Sequence, residues 1–299
     1  MKIAIAGGSG FIGKHLIEYW SGEGHDLFLI SRKRGGVEGA NVATVTWEDL
    51  AKDPSLLSGV EAIVNLAGET INQRWTDAAK RRILESRIEA TRRIGELVAA
   101  LEEKPLVVVS GSAVGIYGMA QGQTFDETRA HTADDFLATV VRKWEQTAQE
   151  AIRDTRLVLL RTGVVLGRDG GAFPKMYLPY KMGVGGRIGR GDQGLSWIQI
   201  EDIVRLIDFC VRNEAVSGPV NAVSPQPVTN DQFGRTLGKV ARRPHWMPVP
   251  SFAFRLLFGE MADLLLEGQK VLPQQALAHG FEFRYPTLEQ ALERTLNLV

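Results

Sequence analysis

Three glycines at three-residue spacing open the chain: Gly7, Gly10 and Gly13, in Ile3-Ala-Ile-Ala-Gly-Gly-Ser-Gly-Phe-Ile-Gly13. The chemistry this spacing suits is the holding of a diphosphate. Gly7 can take φ values closed to other residues and so turns the chain tightly. Gly10 has no side chain to keep a pyrophosphate from the backbone, and Gly13 lets the next helix lie close to a sheet. Ser9, Phe11 and Ile12 complete the loop, and the helix start adds unpaired N–H groups and a positive partial charge. Gly-x-x-Gly-x-x-Gly also occurs in ordinary strand-to-helix turns, so context decides. Here Ile3–Ala6 is a short apolar run suited to a buried strand. Phe11, Ile12, Leu16, Ile17 and Trp20 then fall near helical spacing.

A second group capable of recognition follows the apolar run Asp26–Ile30: Ser31-Arg32-Lys33-Arg34. A site for NAD usually places an acid there to bind the ribose 2′-OH. Successive cations suit a 2′-phosphate instead, since an arginine fork matches a phosphate dianion. The expected cofactor is therefore NADP, with Arg32 as the main contact and Ser31 and Lys33 as helpers. The competing reading is a solvated basic loop. A third group ends the run Val60–Leu66, where Leu66, Ala67 and Gly68 leave room for a cofactor against the backbone. Glu69 comes next. It could act as a base if burial raised its pKa; the alternative is a salt bridge to Arg74 or Arg87.

These groups need a scaffold, and the apolar runs supply one. Further strands are expected at Asn41–Trp47, Leu106–Val109, Leu157–Leu160 and Val220–Val223, and helices at Thr76–Leu101 and Phe136–Ile152. Strands alternating with helices argue for a doubly wound parallel sheet of the Rossmann type, an α/β fold. Residues 1–166 form the dinucleotide-binding domain, with a strand returning near 219–224. Residues 167–299 form a smaller mixed lobe. Glycines crowd residues 170–194, but Phe173, Tyr177, Tyr180 and Trp197 are interleaved or adjacent, which argues for an ordered substrate region over a linker. The tail from Val228 is helical in pattern, broken by Pro244, Pro248 and Pro250.

Composition narrows the rest. Across 299 residues, 35 basic and 35 acidic side chains cancel, which leaves no electrostatic footprint for nucleic acid. The lone Cys210 reads as a buried structural thiol. His15, His25, His131, His245 and His279 are scattered, so no metal site is expected. No apolar run is long enough for a membrane span, and no signal peptide is evident; the expected compartment is cytoplasmic.

Four stretches together resemble the short-chain dehydrogenase/reductase superfamily in its extended form: Gly7–Gly13, Asn65-Leu-Ala-Gly68, Ser112-Ala-Val-Gly-Ile-Tyr-Gly118 and Arg161-Thr-Gly-Val-Val-Leu-Gly167. More specific stretches resemble the atypical NAD(P)-dependent epimerase-like family, which ends in a domain of unknown function. These are Gly68–Trp75, Ser86-Arg87, Ser196–Asp202, Val228–Phe233, Val249-Pro250, Gly259–Ala262, Gly268-Gln269 and Gly280–Pro286. The resemblance implies NADP binding, contacts to the cofactor from Arg87 and Arg161, redox chemistry on a small substrate, and a helix-mediated homodimer. It does not carry over the catalytic set. Typical members hold a Tyr and a Lys four residues apart, the Tyr as acid/base and the Lys lowering its pKa. When the usual Glu is set on Glu145, those positions fall on Leu137 and Val141, and the tetrad Asn falls on Arg87. Only Ser112 matches. Tyr117 and Glu69 are the candidate replacements. Trp75 and Trp197 are either pocket walls or core, and Lys80 and Lys143 read as solvated charges. Two functions remain open: an NADP-dependent oxidoreductase or epimerase on a small polar, possibly sugar-derived, substrate with a nonstandard catalytic set, and a catalytically silent NADP-binding sensor.

Overall fold

The computed structural model describes residues 1–35, 39–118, 122–129, 133–252, 256 and 266–298. Within them, seven strands form one sheet: β1 (Lys2–Ala6), β2 (Asp26–Ser31), β3 (Val42–Thr46), β4 (Ala62–Asn65), β5 (Val107–Ala113), β6 (Arg156–Thr162) and β7 (Gly218–Ala222). Every neighbouring pair is parallel. The order is β7-β6-β5-β4-β1-β2-β3, so the chain reverses direction across the sheet between β1 and β4. That reversal leaves a crevice at the carboxyl ends, where ligands of such sheets bind. His131 and Gly259–Ala262 lie outside the described residues.

Alternation along the strands makes the two cores. Ile3, Ile5, Val64 and Val109 face α1 (Phe11–Gly22) and α6 (Ile200–Arg212). Ala4, Ala6, Ile63 and Val108 face α3 (Asp77–Ala100), through Ile94, Leu97 and Val98. A short helix, α2 (Trp47–Lys52), joins β3 to the rest, and α4 (Phe136–Ala151) lies beside α3. Cys210 is fully buried on α6, and burial pushes its thiol up to about 12, as befits a structural residue.

The strand expected to stop at Val109 continues through Ser110, Gly111 and Ser112 to Ala113. The cause is pairing: Ser110 to Ala113 stand opposite Leu159 to Thr162 on β6, and ladder hydrogen bonds hold polar residues that apolar patterning alone would exclude. The glycine-rich region contains α5 (Phe173–Lys181), and the tail contains α7 (Asn230–Ala241) and α8 (Leu288–Thr295). These pack on one another through Phe173, Tyr180, Trp197, Phe233, Leu237 and Leu292. Lys270–Val271 pairs in parallel with Thr124–Phe125 and ties the end of the chain to the Rossmann half. Asp202 on α6, without solvent exposure, accepts the backbone N–H groups of Arg284 at 2.8 Å and Tyr285 at 2.9 Å, a second tie.

Candidate active site

The loop between β1 and α1 has the geometry its glycines foreshadow. Gly7 has φ +84°, and a Cβ there would lie 2.7 Å from the Leu66 carbonyl carbon at the end of β4. A Cβ at Gly13 would lie 2.5 Å from the Gly7 oxygen. Gly10 differs from both. Its backbone is extended (φ −74°, ψ 172°), and a Cβ would meet only the Gly7 oxygen, at 3.2 Å. Gly10 is also the N-cap of α1, and no side chain caps that end. By contrast α2, α3, α4, α6 and α7 are capped by Thr46, Thr76, Asp135, Gln199 and Thr229. The start of α1 therefore keeps donors and dipole for a ligand anion. The Phe11 ring is clasped by Gly167, Gly170 and Gly171, and His15 meets Asp169 at 3.1 Å, so the stretch after Gly167 is packed against the loop.

At the tip of β2, Arg34 is committed to Asp49 at 2.7 Å. Arg32 and Lys33 are exposed, and neither side chain makes a hydrogen bond or ion pair among the described residues. Ser31 Oγ bonds the Lys33 carbonyl and braces the turn. A diphosphate on the start of α1 and a phosphorylated ribose near Arg32 fit this donor set.

Beyond β4, Leu66, Ala67 and Gly68 lead to Glu69. Glu69 Oε1 accepts from Gln73 Nε2 at 3.2 Å and from Arg82 Nε at 3.3 Å. Those contacts, first the Gln73 hydrogen bond and then Arg82, hold its pKa below the usual carboxylate value. The ion pair runs to Arg82 and not to Arg74 or Arg87. Arg87 instead donates to the backbone carbonyls of Glu69 (3.0 Å) and Ile83 (2.8 Å). Its guanidinium lies over the Trp144 ring at 5.2 Å and beneath Gly68, where a Cβ would sit 3.1 Å from its Cγ. Burial lowers its pKa to about 10, which leaves it charged at neutral pH. Thr91, one turn on, accepts from Trp144 Nε1 at 3.0 Å and from Asn65 Nδ2 at 3.3 Å, joining α3, α4 and β4.

The ends of β5, β6 and β7 carry a closed polar network. Ser112 Oγ donates to Glu145 Oε1 at 2.6 Å. Glu145 receives Arg161 through Nε and Nη2, both at 2.8 Å. Arg161 Nη1 donates to the Tyr117 hydroxyl at 2.9 Å, which in turn donates to Asn221 Oδ1 at 2.9 Å. All five residues are buried. Burial works against the Arg161 charge, but the Glu145 pairing outweighs it and raises the pKa. Burial likewise raises the Tyr117 pKa, although Arg161 pulls the other way. The structure thus brings Ser112, Tyr117 and Arg161 together and leaves Glu69 outside their network. Leu137 and Val141, the positions that setting the family's Glu on Glu145 assigns to its Tyr and Lys, pack near Gly115.

The comparisons bear on this geometry. Residues 3–222 match the model of the NAD dependent epimerase/dehydratase family, and residues 249–295 match a domain of unknown function. The chain is 42% identical over 299 residues to the epimerase family protein YfhF of Bacillus subtilis, covering 99% of this chain and 98% of that protein.

The chain belongs to the NAD dependent epimerase/dehydratase family.

Among solved structures, human epimerase family protein SDR39U1 (isoform 2), determined with NADPH, superposes with a TM-score of 0.93 at 35% identity over 100% of both chains. UDP-glucose 4-epimerase of Thermotoga maritima, with UDP-glucose, gives a TM-score of 0.77 at 16% identity over 100% of this chain and 99% of that one, a likeness of fold.

Sequence reasoning missed Glu145 and Asn221 as members of this network, although Glu145 served to align the helix. One signal was available. Glu145 falls on the stripe of Ala138, Val141, Trp144 and Ala148, the buried face of α4. A carboxylate on an apolar helical stripe needs a buried cation, and Arg161 at a strand end is one. Asn221 carried no comparable signal. Trp75 and Trp197 are core residues; Trp75 meets Phe136 edge-on at 5.2 Å. Lys143 is exposed, whereas Lys80 lies over the Phe136 ring at 5.3 Å. Among the described residues no three metal-ligating side chains cluster, and no helix is long and apolar enough to cross a membrane.

Proposed function

We propose that this chain binds NADP(H) and uses it for oxidoreductase or epimerase chemistry on a small polar substrate, in a crevice at the carboxyl ends of β4 to β6. One observation carries the reading: an uncapped helix start beside Gly10, together with Arg32 and Lys33 at the neighbouring strand tip, exposed and without a side-chain hydrogen bond or ion pair among the described residues. The NADPH in the human relative's structure supports it. When bound, the nicotinamide would supply the hydride donor or acceptor. Gly7, Ser9, Gly10, Phe11, Ile12 and Gly13 would hold the diphosphate, and Ser31, Arg32 and Lys33 the phosphorylated ribose. Leu66, Ala67 and Gly68 would pass beneath, with Arg87 below Gly68. Arg161 would act from within the network by fixing Tyr117 and Glu145.

Of the three candidate catalytic groups, Ser112 is the one the geometry favours. Its proton is already given to Glu145, so its oxygen offers only lone pairs. Such an oxygen holds a substrate hydroxyl better than it polarises a carbonyl. Tyr117 is the candidate acid/base, but its hydroxyl already has an acceptor and a donor inside the protein. Glu69, kept anionic by Gln73 and Arg82, is suited to holding Arg82 in place more than to taking a proton.

A second reading has its own observation. Leu137 and Val141 cannot move a proton, and the hydroxyls of Ser112 and Tyr117 are satisfied by the protein itself. A silent NADP(H) sensor would look the same. Two measurements separate the cases. Calorimetry with NADPH and NADH should show Arg32→Glu weakening NADPH by at least about tenfold and NADH far less, because repulsion replaces attraction at the 2′-phosphate. Equal losses would remove NADP from the reading. A panel of alcohols and carbonyl compounds should contain one that turns the cofactor over, more slowly in Ser112→Ala. No turnover with tight NADPH binding would favour the sensor.

A further inference from the structure

We propose that the C-terminal lobe carries a second ligand site, for an amphipathic organic phosphate, in the cavity between α5, the end of α7 and α8. The cavity encloses about 710 Å³, and Phe173, Tyr177, Val240 and Leu296 give it an apolar, aromatic wall. That volume lies in the range of small-molecule sites. Arg168, Lys181, Lys239 and Arg242 also line it, against two carboxylates, Glu289 and Glu293. Lys239 is spoken for by Glu289 at 2.7 Å. Lys181 lies over the Tyr177 ring at 5.2 Å, and Arg168 and Arg242 make no side-chain hydrogen bond or ion pair among the described residues. An adjoining shallow depression shares Lys239 and Arg242 and adds Arg243 and Arg235, the last paired with Asp231 at 2.6 Å. In a chain whose 35 basic and 35 acidic residues cancel, this is a local excess of positive charge.

Cations at a helix C-terminus commonly serve the helix's last carbonyls. Here the backbone already does so. Arg242 N–H donates to the Lys239 carbonyl at 3.2 Å, and Arg243 N–H to that of Gly238 at 2.8 Å. The guanidinium groups are therefore not needed as caps. Arg242 achieves this in the left-handed region, at φ 53°, and Asn297, between the lining residues Leu296 and Leu298, is at φ 57°. Among the described residues these are the two non-glycine residues with positive φ. Both residues close the C-terminal turn of a helix, α7 and α8, as left-handed residues commonly do. Arginine forks take phosphate oxygens, and the wall beneath takes an apolar body. None of Gly10, Arg32 or Ser112 lines the cavity, so the site is separate from the cofactor crevice.

The test uses octyl phosphate below its micelle-forming concentration, titrated calorimetrically into the full chain, with inorganic phosphate and octanol as the two half-ligands. Octyl phosphate should bind at least tenfold more tightly than either. The Lys181→Glu, Arg242→Glu double variant should lose at least tenfold, with the melting temperature unchanged. Arg32→Glu, which disturbs the cofactor crevice, should leave this binding as it was. If the double variant does not fold, Arg168→Gln and Lys181→Gln, at exposed positions, should each weaken binding severalfold. Octyl phosphate binding no better than inorganic phosphate would overturn the proposal, as would binding indifferent to these substitutions. Capture on phosphatidic acid vesicles without uptake of octyl phosphate would overturn it too, since that is the behaviour of a charged surface and not of a site for a single ligand.

Discussion

The two ends of the crevice are built on opposite rules. At the β1–α1 and β2 end, polar groups are left over: an uncapped helix start, and Arg32 and Lys33, whose side chains make no hydrogen bond or ion pair among the described residues. At the β5–β7 end, polar groups use each other up. Ser112, Glu145, Arg161, Tyr117 and Asn221 form a chain of hydrogen bonds with every member buried. Donors and cations of this kind are open to a ligand from outside, since nothing in the protein competes for them but water. A satisfied network marks a framework. The difference separates an end with donors to spare from an end whose polar groups are held by one another.

Breaking the framework should have the largest effect. Glu145→Ala strands the Arg161 guanidinium in the core and should cost about 3–5 kcal/mol of stability, read by urea denaturation. If the loss is under 1 kcal/mol, the network is not a framework. Next come two glycines that the comparison separates. Gly13→Ala forces a Cβ against the Gly7 oxygen, and should cost about 1–3 kcal/mol of stability along with affinity. Gly10→Ala meets only the Gly7 oxygen, at 3.2 Å, so the fold should hold with a small loss while NADPH affinity falls at least about tenfold, or about 1.4 kcal/mol. Calorimetry beside a thermal melt distinguishes them, and a Gly10 variant that binds normally would deny the cradle its role.

Smaller effects sharpen the contrast. Tyr117→Phe leaves Asn221 Oδ1 without its donor and should cost about 1–3 kcal/mol. If turnover survives this change in a soluble, folded variant, Tyr117 is framework and not acid/base. At the β2 end, the Arg34 hydrogen bond, followed by those of Thr46, lowers the Asp49 pKa from 3.8 to about 2. A carboxylate depressed on folding stabilises the protein above its unfolded pKa and loses that contribution as pH falls through the folded value. Asp49→Asn should therefore flatten the acid limb of the stability curve from about pH 4 down to about pH 2. The effect is slight because the Arg34 side of the pair is exposed. An unchanged acid limb would show that this pair adds nothing.

Most of the sheet was legible because buried parallel strands are continuous apolar runs: Ile3–Ala6, Val60–Leu66 and Leu157–Leu160 each lie on or overlap an observed strand. Short bridges escaped for the converse reason. Lys270–Val271 and Thr124–Phe125 are too brief to carry a period, and each exists only because the other is beside it.

Local sequence determined what depends on a few consecutive residues: the turn at Gly7, the close approach at Gly13, and the absence of an acid after β2. Those are properties of backbone freedom and side-chain type, and they need no distant partner. Tertiary structure alone decided which polar groups are free and which are taken. Ser112 finds Glu145 across 33 residues, and Tyr117 finds Asn221 across 104. A hydrogen bond of that reach depends on packing that brings distant strand ends together, and that packing is a property of the whole chain.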